Sequence, residues 1–514
     1  MENRFAVSKT QIIFALILPL AVLMGFVLAK PDEVGSVGLI LIVFGVLSIP
    51  IFMRWYHPML IIGWNACINP YFLPGRPYLW MILAFIGLAV AVANRFTSAE
   101  AKFTNVPELN WAVGSICAVT LITGYLQGGF GIRSLGGDSY GGKGYFYILA
   151  AGAGFFALVS RRVPANKATL YASIFFLAGV TALVPNIAYL AGPRFEFLFY
   201  LFPTEFALEQ ALADYTIGRQ FGRFYGLTVV GQSICGFLLV RYGVRGVFDL
   251  GSPWRLGLLV VGLLASVFCG FRSILILLIT TIAVQMFFEG LFRLRILIPI
   301  FAAGLVGLAA LVPFSASLPL PVQRTISFLP VEVAPSVRLS VDGSSEWRLE
   351  MWRNVLPLVP QYLLLGKGYA QDPSELNFMY ENARRGYLKA YEPAIYSGDF
   401  HNGPFSVIIP FGIWGVLAFG FFVWASLRYL HRVYRSGNPE FKTINTFLLA
   451  YFVTRIIHFS FVFGSLYTEI GVLASLLGLS VSINGAKAYS IEKASVDQAP
   501  TLEETFPSAT FPVR

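Results

Sequence analysis

Residues Asp399 to Gly415 read Asp-Phe-His-Asn-Gly-Pro-Phe-Ser-Val-Ile-Ile-Pro-Phe-Gly-Ile-Trp-Gly. In this stretch a long polar segment, running from about Ser315 to Asn402, ends at a histidine and gives way to an apolar run. Upstream of the segment, apolar runs close to the roughly 20 residues needed to cross a bilayer recur along most of the chain. Downstream they resume at Gly403 and continue to about 484. A polar loop of this size, closed by a histidine where the chain re-enters an apolar phase, points to chemistry at a membrane face.

Composition agrees. Hydrophobic residues make up 56% of the 514, charged residues 12%, and the mean hydropathy is +0.69. A soluble domain carries roughly 25% charged residues, so the chain reads as an all-α polytopic membrane protein with about 12–14 transmembrane helices. It has one large outward loop that contains short helices. The first eleven helices are expected within 1–314, including an outward segment at 191–225. The loop occupies 315–402, the C-terminal helices 403–486, and a disordered tail 487–514. Separate runs are expected at 35–53 and 58–73, the latter short, interrupted by Pro70 and either a crossing or a re-entrant segment, and a single crossing at 168–190. A tight turn is expected at Gly270-Phe271-Arg272-Ser273.

Positive charge fixes the orientation. Arg161, Arg162 and Lys167, then Arg241, Arg245 and Arg255, then Arg293 and Arg295, then Arg428, Arg432, Arg435 and Lys442 fall in one set of loops. That set is expected to be cytoplasmic, along with both termini. The 191–225 segment and the 315–402 loop then face outward together. The net charge of +10 follows from this bias and implies no nucleic-acid partner. The four cysteines lie inside apolar runs without a Cys-x-x-Cys, which argues against a disulfide framework or thiolate metal site. No His-Glu-x-x-His, Walker loop, Gly-x-Ser-x-Gly or Asp-x-Asp occurs, so neither a metal nor another cofactor is expected.

Ionisable groups in or beside spans are functional suspects. Arg272, at the outward start of a long apolar run, suits an interface anchor or a cation for an anionic headgroup. Trp347, Met351, Val355 and Leu358 follow helical spacing, so Arg348 sits on an amphipathic helix in the loop. Glu346 and Glu350 offer Arg348 ordinary surface pairing. Arg219 and Arg223, among aromatics, suit phosphate, sugar or lipid headgroups. Arg455, His458 and Glu469 read as a buried polar network or a helix-packing device. His401 is the histidine placed at an outward face, where it can exchange a proton near neutral pH.

Taken together, these residues resemble the O-antigen ligase and polymerase superfamily of membrane glycosyltransferases. His401-Asn402-Gly403 with Ile408-Ile409-Pro410-Phe411-Gly412-Ile413-Trp414-Gly415 is similar to its membrane re-entry motif. Ser345-Glu346-Trp347-Arg348, Trp352 and Leu365-Gly366-Lys367-Gly368-Tyr369 resemble its "Arg…Trp…Leu-Gly-x-Gly" loop stretch. Gly270-Phe271-Arg272-Ser273 resembles its "Ser-Arg" helix start, and Arg223-Phe224-Tyr225-Gly226 its "Arg-x-x-Gly". After the last of these, Val229-Val230-Gly231-Gln232 stands where the family often has Pro-Asn.

The resemblance implies a glycosyltransferase of the bacterial inner membrane that needs no metal. The donor would be a glycan on undecaprenyl pyrophosphate, and the acceptor another glycan or a lipid A core. Membrane lipids and polysaccharide assembly proteins would be its other partners. It also implies roles: Arg272 and Arg348 on the phosphates, His401 as base for the acceptor hydroxyl, and Trp347, Asn402, Arg219 and Arg223 as substrate contacts. A ligase-like activity is the first expectation and a polymerase the second. A lipid-linked oligosaccharide flippase, with Arg455 and His458 lining a pathway, and a non-enzymatic assembly subunit are rivals of different class.

Overall fold

The computed structural model describes residues 34–71, 73, 75–97, 103–131, 140–207 and 224–485, with single positions between 18 and 25. Among the described residues there is no strand, only an isolated antiparallel bridge between Tyr140 and Gln371. Eight of the described helices are long and apolar enough to cross a membrane, and three shorter apolar helices accompany them. Arg219, Arg223, the run at 11–29 and the 487–514 tail lie outside the described residues, apart from the few positions between 18 and 25.

Helix α1 (Val34–Gly63) continues through Pro50 and Pro58. The runs expected separately at 35–53 and 58–73 are therefore one helix followed by irregular chain. A proline removes one intrahelical bond, which a long apolar helix tolerates by bending. Pro70 falls in the irregular part, where the Asn69 and Tyr71 amides donate to the Leu201 and Tyr200 carbonyls.

Helices α2 (Leu79–Thr97), α3 (Pro107–Leu126) and α4 (Lys143–Val159) follow, then α5 (Ala168–Leu177) and α6 (Val184–Ala191). The run at 168–190 is not a uniform helix, because a 3₁₀ stretch, Ala178–Leu183, separates α5 from α6. There the Thr181 hydroxyl donates to Ala178 O and accepts from the Cys67 amide, a tertiary bond that hydropathy does not register.

Helices α7 (Tyr225–Val247), α8 (Pro253–Phe268) and α9 (Arg272–Phe288) form one apolar cluster through Ile234, Leu238, Leu259, Ile274 and Leu278. The turn between α8 and α9 falls where the sequence placed it. After α10 (Leu294–Leu311) the polar loop begins with α11 (Leu320–Ile326). It continues as α12 (Pro335–Val355), α13 (Leu358–Tyr362), α14 (Pro373–Arg384) and α15 (Glu392–Ser397). At 21 residues α12 is longer than the short helices expected. Its stripe packs as the spacing predicts: Met351 and Val355 are fully buried against Tyr391, Phe400 and Ile409, with Trp347 alongside. Leu358 joins the same cluster from α13, after the helix breaks at Pro357.

The last helices are α16 (Gly403–Ser436), α17 (Lys442–Phe461) and α18 (Leu466–Asn484). Helix α18 packs on α4, α16 on α3, and α17 on α9 and α7. Helix α16 is kinked at Gly412, whose φ of +61° is left-handed. Into that kink the loop inserts Leu365-Gly366-Lys367-Gly368. The Lys367 amide donates to Ile409 O at 2.7 Å, the Gly368 amide to Pro410 O at 2.9 Å, and the Ile413 amide to Leu363 O at 2.7 Å. Pro410 and Gly412 each disturb the helical ladder, and the loop backbone satisfies the groups this frees.

Candidate functional site

A cavity of about 840 Å³ opens where the end of the loop meets α5, α7, α9, α12, α17 and α18. That volume lies within the range of small-molecule sites, roughly 300–1,000 Å³. Its lining is mixed. Aromatic rings such as Phe176, Tyr225, Trp347 and Phe463 alternate with ionisable groups Arg348, Asp399, His401, Arg455 and Glu469.

His401 is positioned by its two neighbours. The Phe400 carbonyl accepts from Trp352 Nε1 at 3.0 Å, and Asn402 caps α16 by accepting from the Phe405 amide at 3.1 Å. Gly403 then packs against Phe459 of α17 so closely that a Cβ there would lie 2.7 Å from the Phe459 ring. Held between these anchors, His401 adopts φ +48°. Left-handed backbone is uncommon for non-glycine residues, though histidine is among the more tolerant, and such conformations cluster at functional sites. The imidazole sits between Trp347 (ring centroids 5.1 Å) and Phe463 (4.9 Å).

The Asp399 carboxylate faces the imidazole, with Oδ1 3.9 Å from Nδ1, and accepts the His401 amide at 3.4 Å. Burial lowers the His401 pKa below its ordinary value; Asp399 opposes the shift and Arg348 reinforces it. The ring is therefore neutral at neutral pH and able to take up a proton.

Arg348 lines the cavity with Ser344, one helical turn before it. Glu350, which the sequence offered as a surface partner, also lies 4.0 Å from Lys389. Trp347 lines the cavity as well. Arg272 is half-buried at the first turn of α9; its neighbours Phe271 and Ser273 line the cavity and Arg272 does not. Asn402 is a helix cap, a position that serves His401 indirectly.

One feature lay beyond sequence reasoning, and another was legible only as a grouping. Asp399 precedes His401 by two residues, a spacing that carries no signal until the backbone turns its carboxylate toward the ring. Arg455 and Glu469 form a buried bidentate ion pair, with Nε to Oε1 at 2.6 Å and Nη2 to Oε2 as the second contact. The sequence grouped these two with His458 as a structural network. All three also line the cavity that holds His401. Among the described residues no group of three or more His, Cys, Asp and Glu side chains is placed to hold a metal ion.

Residues 255–420 match the family model described as O-antigen ligase. The matched segment runs from the start of α8 into α16 and contains Arg272, Trp347, Arg348, Asp399 and His401. No curated protein matches the chain.

Proposed function

We propose that this chain, whose residues 255–420 match the O-antigen ligase family model, is a member of the O-antigen ligase and polymerase superfamily and transfers a glycan from undecaprenyl pyrophosphate to an acceptor hydroxyl. The cavity under the loop is the site of transfer. The observation that carries this reading is the convergence of His401, Asp399 and Arg348 on one cavity at the junction of a polar loop and apolar helices.

In the reaction the acceptor oxygen attacks the anomeric carbon, and the bond from that carbon to the phosphate oxygen breaks. The pyrophosphate leaves with the electron pair, and the hydroxyl proton passes to the His401 imidazole. Arg348 binds phosphate oxygens and stabilises the charge that grows on the leaving group. Arg272, at the adjacent helix start, serves the same anion from the membrane face. Trp347 braces the imidazole and offers a ring face to a sugar. Arg219 and Arg223 are placed by sequence alone as further phosphate or sugar contacts. In this reading the 315–402 loop faces the periplasm and both termini the cytoplasm, in line with the distribution of Lys and Arg, and the superfamily resemblance puts the enzyme in the bacterial inner membrane. A ligase-like transfer to a lipid A core is the first choice within the superfamily, with polymerisation second.

The test is the envelope glycan profile of a deletion strain complemented with wild type or His401→Ala, at matched protein levels. Long polymer left on its lipid carrier, with bare acceptor, identifies a ligase; single repeats without polymer identify a polymerase. A normal profile with His401→Ala overturns the catalytic role of His401 and favours a transport function.

A further inference from the structure

Part of the cavity lies among helices that the proposed transfer does not use. It is lined by Gln232 of α7, by Tyr451, Arg455 and His458 of α17, and by Glu469 of α18. The Arg455–Glu469 pair neutralises its own charge. A guanidinium has five donors and a carboxylate about four acceptor sites, so a bidentate pair still leaves hydrogen-bonding capacity on both partners. His458 sits one helical turn from Arg455 and is 7% exposed. Its imidazole interacts with the backbones of Ser273 and Phe463, while its Nε2 finds no well-formed hydrogen bond among the described residues. A buried polar atom without a partner is costly unless a ligand or water completes it.

The chemistry of these walls selects the occupant. A prenyl chain is hydrocarbon; laid here it would strip water from Gln232, His458 and the ion pair and return no hydrogen bond. A sugar ring carries hydroxyls that both donate and accept, and its C–H faces rest on aromatic rings. Tyr451 lines this part of the cavity with one ring face stacked on Phe447 at 5.4 Å, so the polar groups around it carry the recognition. We infer that this part of the cavity is a carbohydrate subsite set within the helical bundle, in which His458 Nε2 and the Gln232 amide contact hydroxyls of the donor glycan. The prenyl chain then lies against the apolar outer faces of the helices. This inference rests on the reading of the cavity as the site for a lipid-linked glycan.

The experiment compares two probes on the full-length protein in lipid nanodiscs. One is undecaprenyl pyrophosphate; the other is the undecaprenyl-pyrophosphate-linked glycan extracted from cells lacking this gene. Wild type binds both. His458→Ala and Gln232→Met each weaken the glycan-bearing lipid about tenfold, equivalent to about 1.4 kcal/mol, and leave the bare lipid within about twofold. Arg348→Ala weakens both probes. If His458→Ala fails to give monodisperse protein, Gln232→Met, on a different helix, carries the comparison. Unchanged affinity for the glycan-bearing lipid in the variants, with wild type binding it, overturns the subsite and leaves that chamber to water. If wild type binds neither lipid, the donor reading itself fails.

Discussion

Replacing Gly366 by alanine separates docking from ligand binding as the purpose of Leu365-Gly366-Lys367-Gly368. Gly366 has φ +71°, and a side chain in the left-handed region costs roughly 1–2 kcal/mol. The added Cβ would run into the Pro410 carbonyl and lie 2.7 Å from Phe411 Cα. Both are backbone atoms of buried residues in α16, so neither can step aside cheaply. The loop must back away, which breaks the Lys367 amide bond to Ile409 O and the Gly368 amide bond to Pro410 O. At about 1 kcal/mol per bond, the penalty reaches about 3–4 kcal/mol, concentrated on the loop junction rather than on the bundle. Limited proteolysis of Gly366→Ala should therefore show early cleavage near 364–372 while the helices remain protected, and glycan transfer should fall with it. Lys367→Ala is the control: the motif uses the Lys367 amide, so loss of the side chain should change stability by less than about 0.5 kcal/mol. Wild-type protease resistance together with wild-type transfer in Gly366→Ala would refute the docking role.

Two further outcomes follow from the site. Asp399 holds the His401 pKa up against burial and Arg348, so Asp399→Asn lets it fall further. Transfer needs the neutral imidazole and is lost as pH drops through that pKa. The acid limb of the pH–rate profile should then move to lower pH in Asp399→Asn, and an unmoved limb would remove Asp399 from any positioning role. Glu469→Gln leaves Arg455 buried with no carboxylate, and breaking one side of a buried pair costs about 3–5 kcal/mol. Its thermal midpoint in detergent should drop clearly below wild type; an unchanged midpoint would mean that solvent in the cavity already carries the Arg455 charge.

The residues of α12 and the start of α13 show how far pattern alone reaches. Trp347, Met351, Val355 and Leu358 announced their shared face through helical spacing, and they bury together against Tyr391 and Phe400. The proline-bearing runs show where pattern stops. Hydropathy cannot tell whether Pro50 and Pro58 end a crossing or only bend it, because the answer depends on what satisfies the freed carbonyls.

What this sequence determined by itself is whatever local composition and period control: an all-helical membrane chain, the amphipathic face of α12 and the candidacy of His401 and Arg348. Only the tertiary structure decided which of these meet. It brought Asp399 to the imidazole, set Arg348 on the cavity wall, left Arg272 beside the cavity rather than in it, and drew Arg455, His458 and Glu469 onto the same walls. The physical reason is that a side chain's direction is set by backbone anchored at a distance. Trp352 holds Phe400, Asn402 caps α16, and Gly366 fits the kink at Gly412. The Asn402 cap is local, but the Trp352–Phe400 bond and the fit of Gly366 at the Gly412 kink join residues more than forty apart, where no local period can encode them.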